Sequence, residues 1–241
     1  MIRARIARAA LVLFLTAILG AIGFGAHLGY FGGPVFTLVP ARGAPPARTR
    51  GTALVFFSGD MGFNTGMGPR MVARLAGQGI PVIGVNSLTA FARRGDAATA
   101  AALVREAVER AAALPGIERV VLTGQSFGAN LVLAGAASLP PALKAKVPLV
   151  ELVVPARTML FKATPGGAFD TGTDGPAMPY ARQLSGTPVL CIHGEAEEDS
   201  LCPVWRQRNV QVVALPGDHY LHHDDALVAA TMLRVLRAIR G

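Results

Sequence analysis

The stretch Val120-Val121-Leu122-Thr123-Gly124-Gln125-Ser126-Phe127-Gly128-Ala129-Asn130 constrains this chain more than any other part of it. An apolar run enters Gly-x-Ser-x-Gly and a helix-forming run leaves it. That pattern sets a serine on a sharp strand-to-helix turn with its Oγ clear of the sheet. Gly124 and Gly128 remove side chains that would collide where strand and helix cross. The helix aims its N-terminus at the same point, which favours negative charge developing on a substrate oxygen. The N–H of Phe127 is a candidate donor to that oxyanion. A glycine-rich turn with a merely capping serine would share the motif; the flanking strand and helix argue for the nucleophile.

The rest of the chain from Gly51 repeats the alternation. Apolar runs at Thr52–Phe57, Ile80–Val85, Arg119–Leu122, Val147–Val154, Thr187–His193 and Asn209–Leu215 read as buried strands. Helical spacing predicts helices over Pro69–Gln78, Asp96–Ala113, Gly128–Ala137 and Asp224–Arg240, with Asp96 as an N-cap. Strands alternating with helices predict an α/β fold with a mostly parallel sheet flanked by helices on both faces. Right-handed crossovers bring the C-terminal ends of the strands to one edge, where sites in such sheets form. The short connections after Val154 leave little or no room for a lid domain.

A basic N-terminus, with Arg3, Arg5 and Arg8, precedes an apolar stretch from Ala9 to Gly33 broken only by His27. This is the pattern of an export signal, and the run is long enough to span a bilayer if uncut. Residues 1–33 therefore read as a signal peptide or membrane anchor, and Ala21 and Gly23 offer a small-x-small cleavage pair. Residues 34–50, with four prolines, three arginines and no amphipathic period, read as a linker to a domain over 51–241. The net charge is +8, and the three N-terminal arginines leave +5 elsewhere. That excess favours an anionic membrane surface or substrate. No basic run or aromatic-basic cluster points to nucleic acid. No nucleotide loop is present around Gly59, Gly62, Gly66 and Gly68, and no cofactor is implied.

A serine nucleophile needs a base and an acid. On this architecture they follow in the order Ser, acid, His, which is that of the α/β-hydrolase fold. The base is expected after the last strand, where Leu215-Pro216-Gly217-Asp218-His219 supplies His219. His222, His223, Asp224 and Asp225 would suit a metal, but no matching ligand group lies elsewhere in the chain. His193, at a strand end, reads as core packing. The acid is expected in Glu195-Ala196-Glu197-Glu198-Asp199-Ser200-Leu201-Cys202-Pro203. Asp199 is favoured for its position four residues before Pro203, with Glu197 and Glu198 in reserve. Cys191 and Cys202 bracket this loop, and in an exported protein they suggest a disulfide closing it. The first loop, Ser58-Gly59-Asp60-Met61-Gly62-Phe63, stands where the second oxyanion donor arises, from Asp60 or Met61.

These residues together resemble the bacterial VirJ/AcvB virulence-protein family, from about Gly51 to the C-terminus. The run Glu197-Glu198-Asp199-Ser200-Leu201-Cys202-Pro203 carries most of the resemblance. Phe57–Phe63, Gly79–Leu88, Gly124–Asn130 and Leu215–His219 add to it. The resemblance implies a periplasmic α/β-hydrolase that cleaves the aminoacyl ester of lysyl-phosphatidylglycerol or a similar aminoacyl phospholipid, with links to type IV secretion components. On that reading Ser126 attacks, His219 moves the proton, Asp199 orients His219, and Asp60 or Glu198 pairs with substrate ammonium groups. The chain departs from the pattern at Met61, where glycine is expected, and Phe63, where tryptophan is expected. It also lacks the additional N-terminal domain of longer members. Two other readings compete: a non-catalytic periplasmic scaffold on the same fold, and an esterase for small soluble esters.

Overall fold

The computed structural model describes residues 2–239. A long helix α1 (Ile2–Leu28) leads into an edge strand β1 (Phe36–Val39). The elements β2 (Thr52–Phe57), α2 (Met67–Gly77), β3 (Val82–Val85), α3 (Ser87–Phe91) and α4 (Ala97–Ala112) follow. Next come β4 (Arg119–Gln125), α5 (Phe127–Ala136), α6 (Pro141–Lys144) and β5 (Leu149–Val153). The chain closes with α7 (Met178–Arg182), β6 (Val189–Gly194), β7 (Val210–Leu215) and α8 (Asp225–Ala238).

The sheet order is β1-β3-β2-β4-β5-β6-β7. All neighbours are parallel except β1, which runs antiparallel to β3 with Phe36 opposite Val85. The alternation of side chains explains the layers. Ala53, Val55 and Phe57 of β2 face one core with Val120 and Leu122 of β4, under α4 and α5. Leu54 and Phe56 face the other with Val121, under α2 and α8. Both faces are covered, so the strands read as continuous apolar runs. From β2 the chain first steps outward to β3, then returns past β2 to β4. The loops after β2 and β4 therefore diverge, and the crevice between them is the switch point where ligands bind in open parallel sheets.

All six strands and four helices expected from the apolar runs are present. The helix expected over Asp224–Arg240 is present as Asp225–Ala238, with Arg240 outside the described residues. Asp96 caps α4, its carboxylate accepting from the Thr99 N–H at 2.7 Å. The linker expectation for residues 34–50 needs correction. Phe36–Val39 add a strand to the sheet edge, and the Arg110 guanidinium sits 4.3 Å above the Phe36 ring. Four residues with only half their faces covered leave too short an alternation to separate from a proline-rich connector.

Glu151 lies in the middle of the sheet, opposite Thr123 on β4 and Leu190 on β6. It is 1% exposed. Thr123 Oγ1 donates to Oε2 at 3.1 Å, while Oε1 has no partner among the described residues. Burial pushes this carboxyl from 4.5 up to about 8, so it is protonated at neutral pH. The linkage sign follows. Between those values the folded state holds a proton that the unfolded state releases. The contribution to stability is full below the unfolded pKa and is lost as pH rises through the folded one. The slope approaches about 1.4 kcal/mol per pH unit. Glu151→Gln is expected to abolish that slope, so urea unfolding in detergent micelles at a series of pH values will show the variant gaining on wild type as pH rises.

Candidate active site

The sharp turn after β4 is built as the glycines require. Ser126 has φ +52° and ψ −122°, a sparsely populated conformation that costs a non-glycine residue about 1–3 kcal/mol. Its N–H donates to the Val153 carbonyl at 2.8 Å, which pins it to the end of β5. A Cβ on Gly124 would lie 2.5 Å from the Gly128 carbonyl, and one on Gly128 would lie 2.5 Å from the Phe57 carbonyl. Strand, turn and helix can approach this closely only with hydrogen at both places. Phe127 is the first residue of α5, so its N–H has no acceptor within the helix.

His219 reaches the serine from the loop after β7. Its Nε2 stands 2.8 Å from Ser126 Oγ, and its Nδ1 stands 2.5 Å from Glu197 Oε1. The Glu197 side chain is 5% exposed, and its other oxygen accepts from the Gly194 N–H at 3.3 Å. The hydrogen bond to Glu197 raises the pKa of His219 above its ordinary value, against the opposing effect of burial. Hydroxyl, imidazole and carboxylate thus form one relay across 93 and 22 residues of separation. Its geometry suits removal of a proton from the hydroxyl as that oxygen attacks.

The assignment of Asp199 to the acid position is corrected. Asp199 is exposed, and its contribution is a main-chain carbonyl that accepts from the Arg157 N–H. The loop turns immediately after β6, where the Glu197 N–H donates to the Gly194 carbonyl at 3.1 Å. That turn carries Glu197 inward and leaves Glu198 and Asp199 facing solvent. Cys191 and Cys202 are joined, with Cα atoms 5.5 Å apart. In the chain-entropy account a loop of this size contributes about 3 kcal/mol. His193 is buried, with Nδ1 2.8 Å from the Gly194 carbonyl.

The family model described as bacterial virulence protein VirJ matches residues 51–240. The chain belongs to the VirJ family. No match was found among individually curated proteins. Among solved structures, Est1E from Butyrivibrio proteoclasticus is similar at a TM-score of 0.62 and 15% identity, covering 85% of this chain and 94% of that one. The protein XC6422 from Xanthomonas campestris, described as an a/b serine hydrolase without lid, gives a TM-score of 0.55 and 18% identity over 86% of this chain and 91% of that one. The esterase domain of a Rhodothermus marinus protein gives 0.55 and 18%, over 84% and 98%. At these identities the likeness shows the fold, which is that of the α/β-hydrolases.

The VirJ-family site opens into a pocket of about 400 Å³ lined by Asp60, Met61, Gly62, Ser126, His219 and Tyr220, among others. Gly59 lies against Ser126, so the loop after β2 forms the wall facing the hydroxyl. The N–H groups of Asp60 and Met61 donate to no main-chain carbonyl among the described residues; both face the Asp60 carboxylate, whose charged form they favour. Met61 causes none of the strain a positive φ would bring, because Gly62 takes that conformation at φ +74°. Phe63 is buried, with its ring centroid 6.4 Å from that of Phe56. Asp60 lines the pocket as expected, but Glu198 does not. Burial first, then the neighbouring Asp170 carboxylate, raises the pKa of Asp60.

Two residues that shape the surroundings of the pocket carry weak sequence signals. Asn130 sits inside the motif, where the sequence marks it only as the residue two places after Gly128. It is buried on α5, donates to the Ala156 and Thr158 carbonyls at 3.0 and 2.9 Å, and accepts from the Ala156 N–H. It thereby fixes the strap after β5 that carries Gly166 to the pocket rim. Asp170 comes from the same strap, in a segment of glycines and polar residues with no period to mark it.

Proposed function

We propose that this chain is an exported serine esterase acting on the aminoacyl ester of a cationic aminoacyl lipid such as lysyl-phosphatidylglycerol. The observation that carries the reading is the relay Ser126 Oγ–His219 Nε2 at 2.8 Å with His219 Nδ1–Glu197 Oε1 at 2.5 Å. In the first half-reaction Ser126 Oγ forms a bond to the ester carbonyl carbon as its proton passes to His219 Nε2. Negative charge on the carbonyl oxygen is met by N–H groups of Phe127 and of Asp60 or Met61. The C–O bond to the glycerol then breaks, and His219 returns its proton to that oxygen. Water, deprotonated by the same imidazole, releases the amino acid and restores the serine. Glu197 holds the imidazole in the tautomer that the first step needs and balances its charge once protonated.

Asp60 supports a cationic acyl group. Its carboxylate is partly removed from water and lies near Asp170, so the attraction of a substrate ammonium would offset both effects that disfavour its charge. The apolar α1, its amino-terminal arginines and the disulfide support export to the periplasm. The test uses vesicles containing lysyl-phosphatidylglycerol. Wild type is expected to release lysine and Ser126→Ala is not. Asp60→Asn is expected to raise KM about tenfold for the lysyl ester and leave a neutral short-chain ester unaffected. Lipid left intact by wild type, with short esters cleaved, would remove the lipid assignment.

A further inference from the structure

The carboxyl end of α1 is built into the domain. Leu28 is fully buried in the core under α4 and α5. Its carbonyl accepts from Asn86 Nδ2 at 3.0 Å, and the Gly29 carbonyl accepts from Thr89 Oγ1 at 2.9 Å. Asn64 Nδ2 donates to the His27 carbonyl at 2.6 Å, and the Asn86 N–H donates to the Val35 carbonyl at 2.8 Å. A Cβ on Gly62 would lie 2.5 Å from the Leu28 carbonyl. Gly62 also lines the pocket that holds Ser126. The last turn of the helix and the catalytic pocket are thus separated by the thickness of one loop.

Among the described side chains of α1, those from Arg5 to Phe24 are all exposed. An 18-residue window within Arg5–Leu28 has a mean hydropathy of 2.3, and only 6% of it is buried. Ile6, Leu13, Phe14 and Leu19 are each more than 60% exposed. Twenty-four residues of helix span roughly 36 Å at 1.5 Å each, enough for a hydrocarbon core of about 30 Å. Three exposed aromatic rings lie on the pocket lining, on the strap that carries Gly166 to the pocket, and against Gly25 near the docked end of α1. Tyr220 lines the pocket at 61% exposure, Phe169 is 76% exposed one residue from Asp170, and Phe31 is 64% exposed just past the helix. Rings of this kind settle at the headgroup level of a bilayer.

We infer that α1 is a seated membrane anchor: its docked end holds the mouth of the Ser126 pocket at the bilayer surface, so ester headgroups are met where they lie. The occupant of the bare helix is the lipid bilayer. The linkage is stiff because the chain passes from helix to buried Leu28 without an intervening flexible segment. The docking stands independently of the esterase reading; only the nature of the molecules presented to the pocket rests on it.

The full chain reconstituted in vesicles of phosphatidylglycerol and phosphatidylcholine, with a headgroup-attached quencher, tests this directly. A fluorophore is placed at Thr65→Cys, on the pocket lining, or at Lys146→Cys, at the opposite edge of the sheet. Quenching at position 65 is expected to exceed that at 146 by about threefold or more. A 12-residue Gly-Ser insertion between Gly23 and Phe24 leaves the docked residues intact, and it is expected to bring quenching at 65 down to the level at 146. Equal quenching at both sites, quenching unmoved by the insertion, or a mature chain beginning at Phe24 in the soluble fraction would each overturn the inference. None of these readouts uses ester turnover. Failure of the esterase reading would show instead as absent hydrolysis with the quenching contrast intact.

Discussion

Glu197→Gln is expected to lower kcat/KM for ester hydrolysis by about 10²- to 10⁴-fold, while Asp199→Asn changes it by less than about threefold. The two carboxylates are two residues apart, yet only Glu197 accepts from His219, at 2.5 Å. Glutamine keeps the shape but cannot stabilise the imidazolium, and its amide can lock the ring in the wrong tautomer. The pH profile adds a check. The base must be neutral, so activity rises as pH passes upward through the pKa of His219, which Glu197 raises. Losing that charge lowers the pKa, and the acid limb of kcat/KM moves to lower pH in the glutamine variant. An Asp199→Asn effect larger than that of Glu197→Gln would reverse the assignment.

Ser126→Ala is expected to have the largest effect, a loss of roughly 10⁶-fold in kcat that leaves only what binding and oxyanion donors supply. Stability should not fall with it. Ser126 caps α5 without a side-chain hydrogen bond to the helix, and its hydroxyl partner is His219 alone among the described residues. Urea unfolding of the variant is therefore expected within about 1 kcal/mol of wild type. A change of fold stability in place of activity would assign the serine a structural role. His219→Ala is expected to be about as inactive, and the double variant little worse than either, because members of one relay are not additive.

The architecture was legible because each buried strand is a run of apolar residues and each long helix presents one apolar face. Ser126 and His219 were legible because a sharp turn after a strand and a histidine after the last strand are fixed by topology. The acid was not. Three carboxylates in a row at 197–199 differ in no local property, and the turn after Gly194 decides which of them points inward. The strand Phe36–Val39 was hidden by its length and by surrounding prolines. Glu151 stood within a strand correctly placed, but nothing in the sequence says that its neighbour Thr123 alone would meet its carboxyl in the core. Asp170 and the docking of Leu28 depend on how loops fold over the sheet edge, which hydrophobic periodicity does not encode.

Covalent labelling tests the central claim most directly. The full chain in detergent is treated with a fluorophosphonate, which bonds only to an activated serine, and digested for mass mapping. One adduct per chain on Ser126 is expected, absent after Ser126→Ala, strongly slowed by Glu197→Gln and unaffected by Asp199→Asn. A folded protein that takes up no label, or takes it on another serine, would contradict the account.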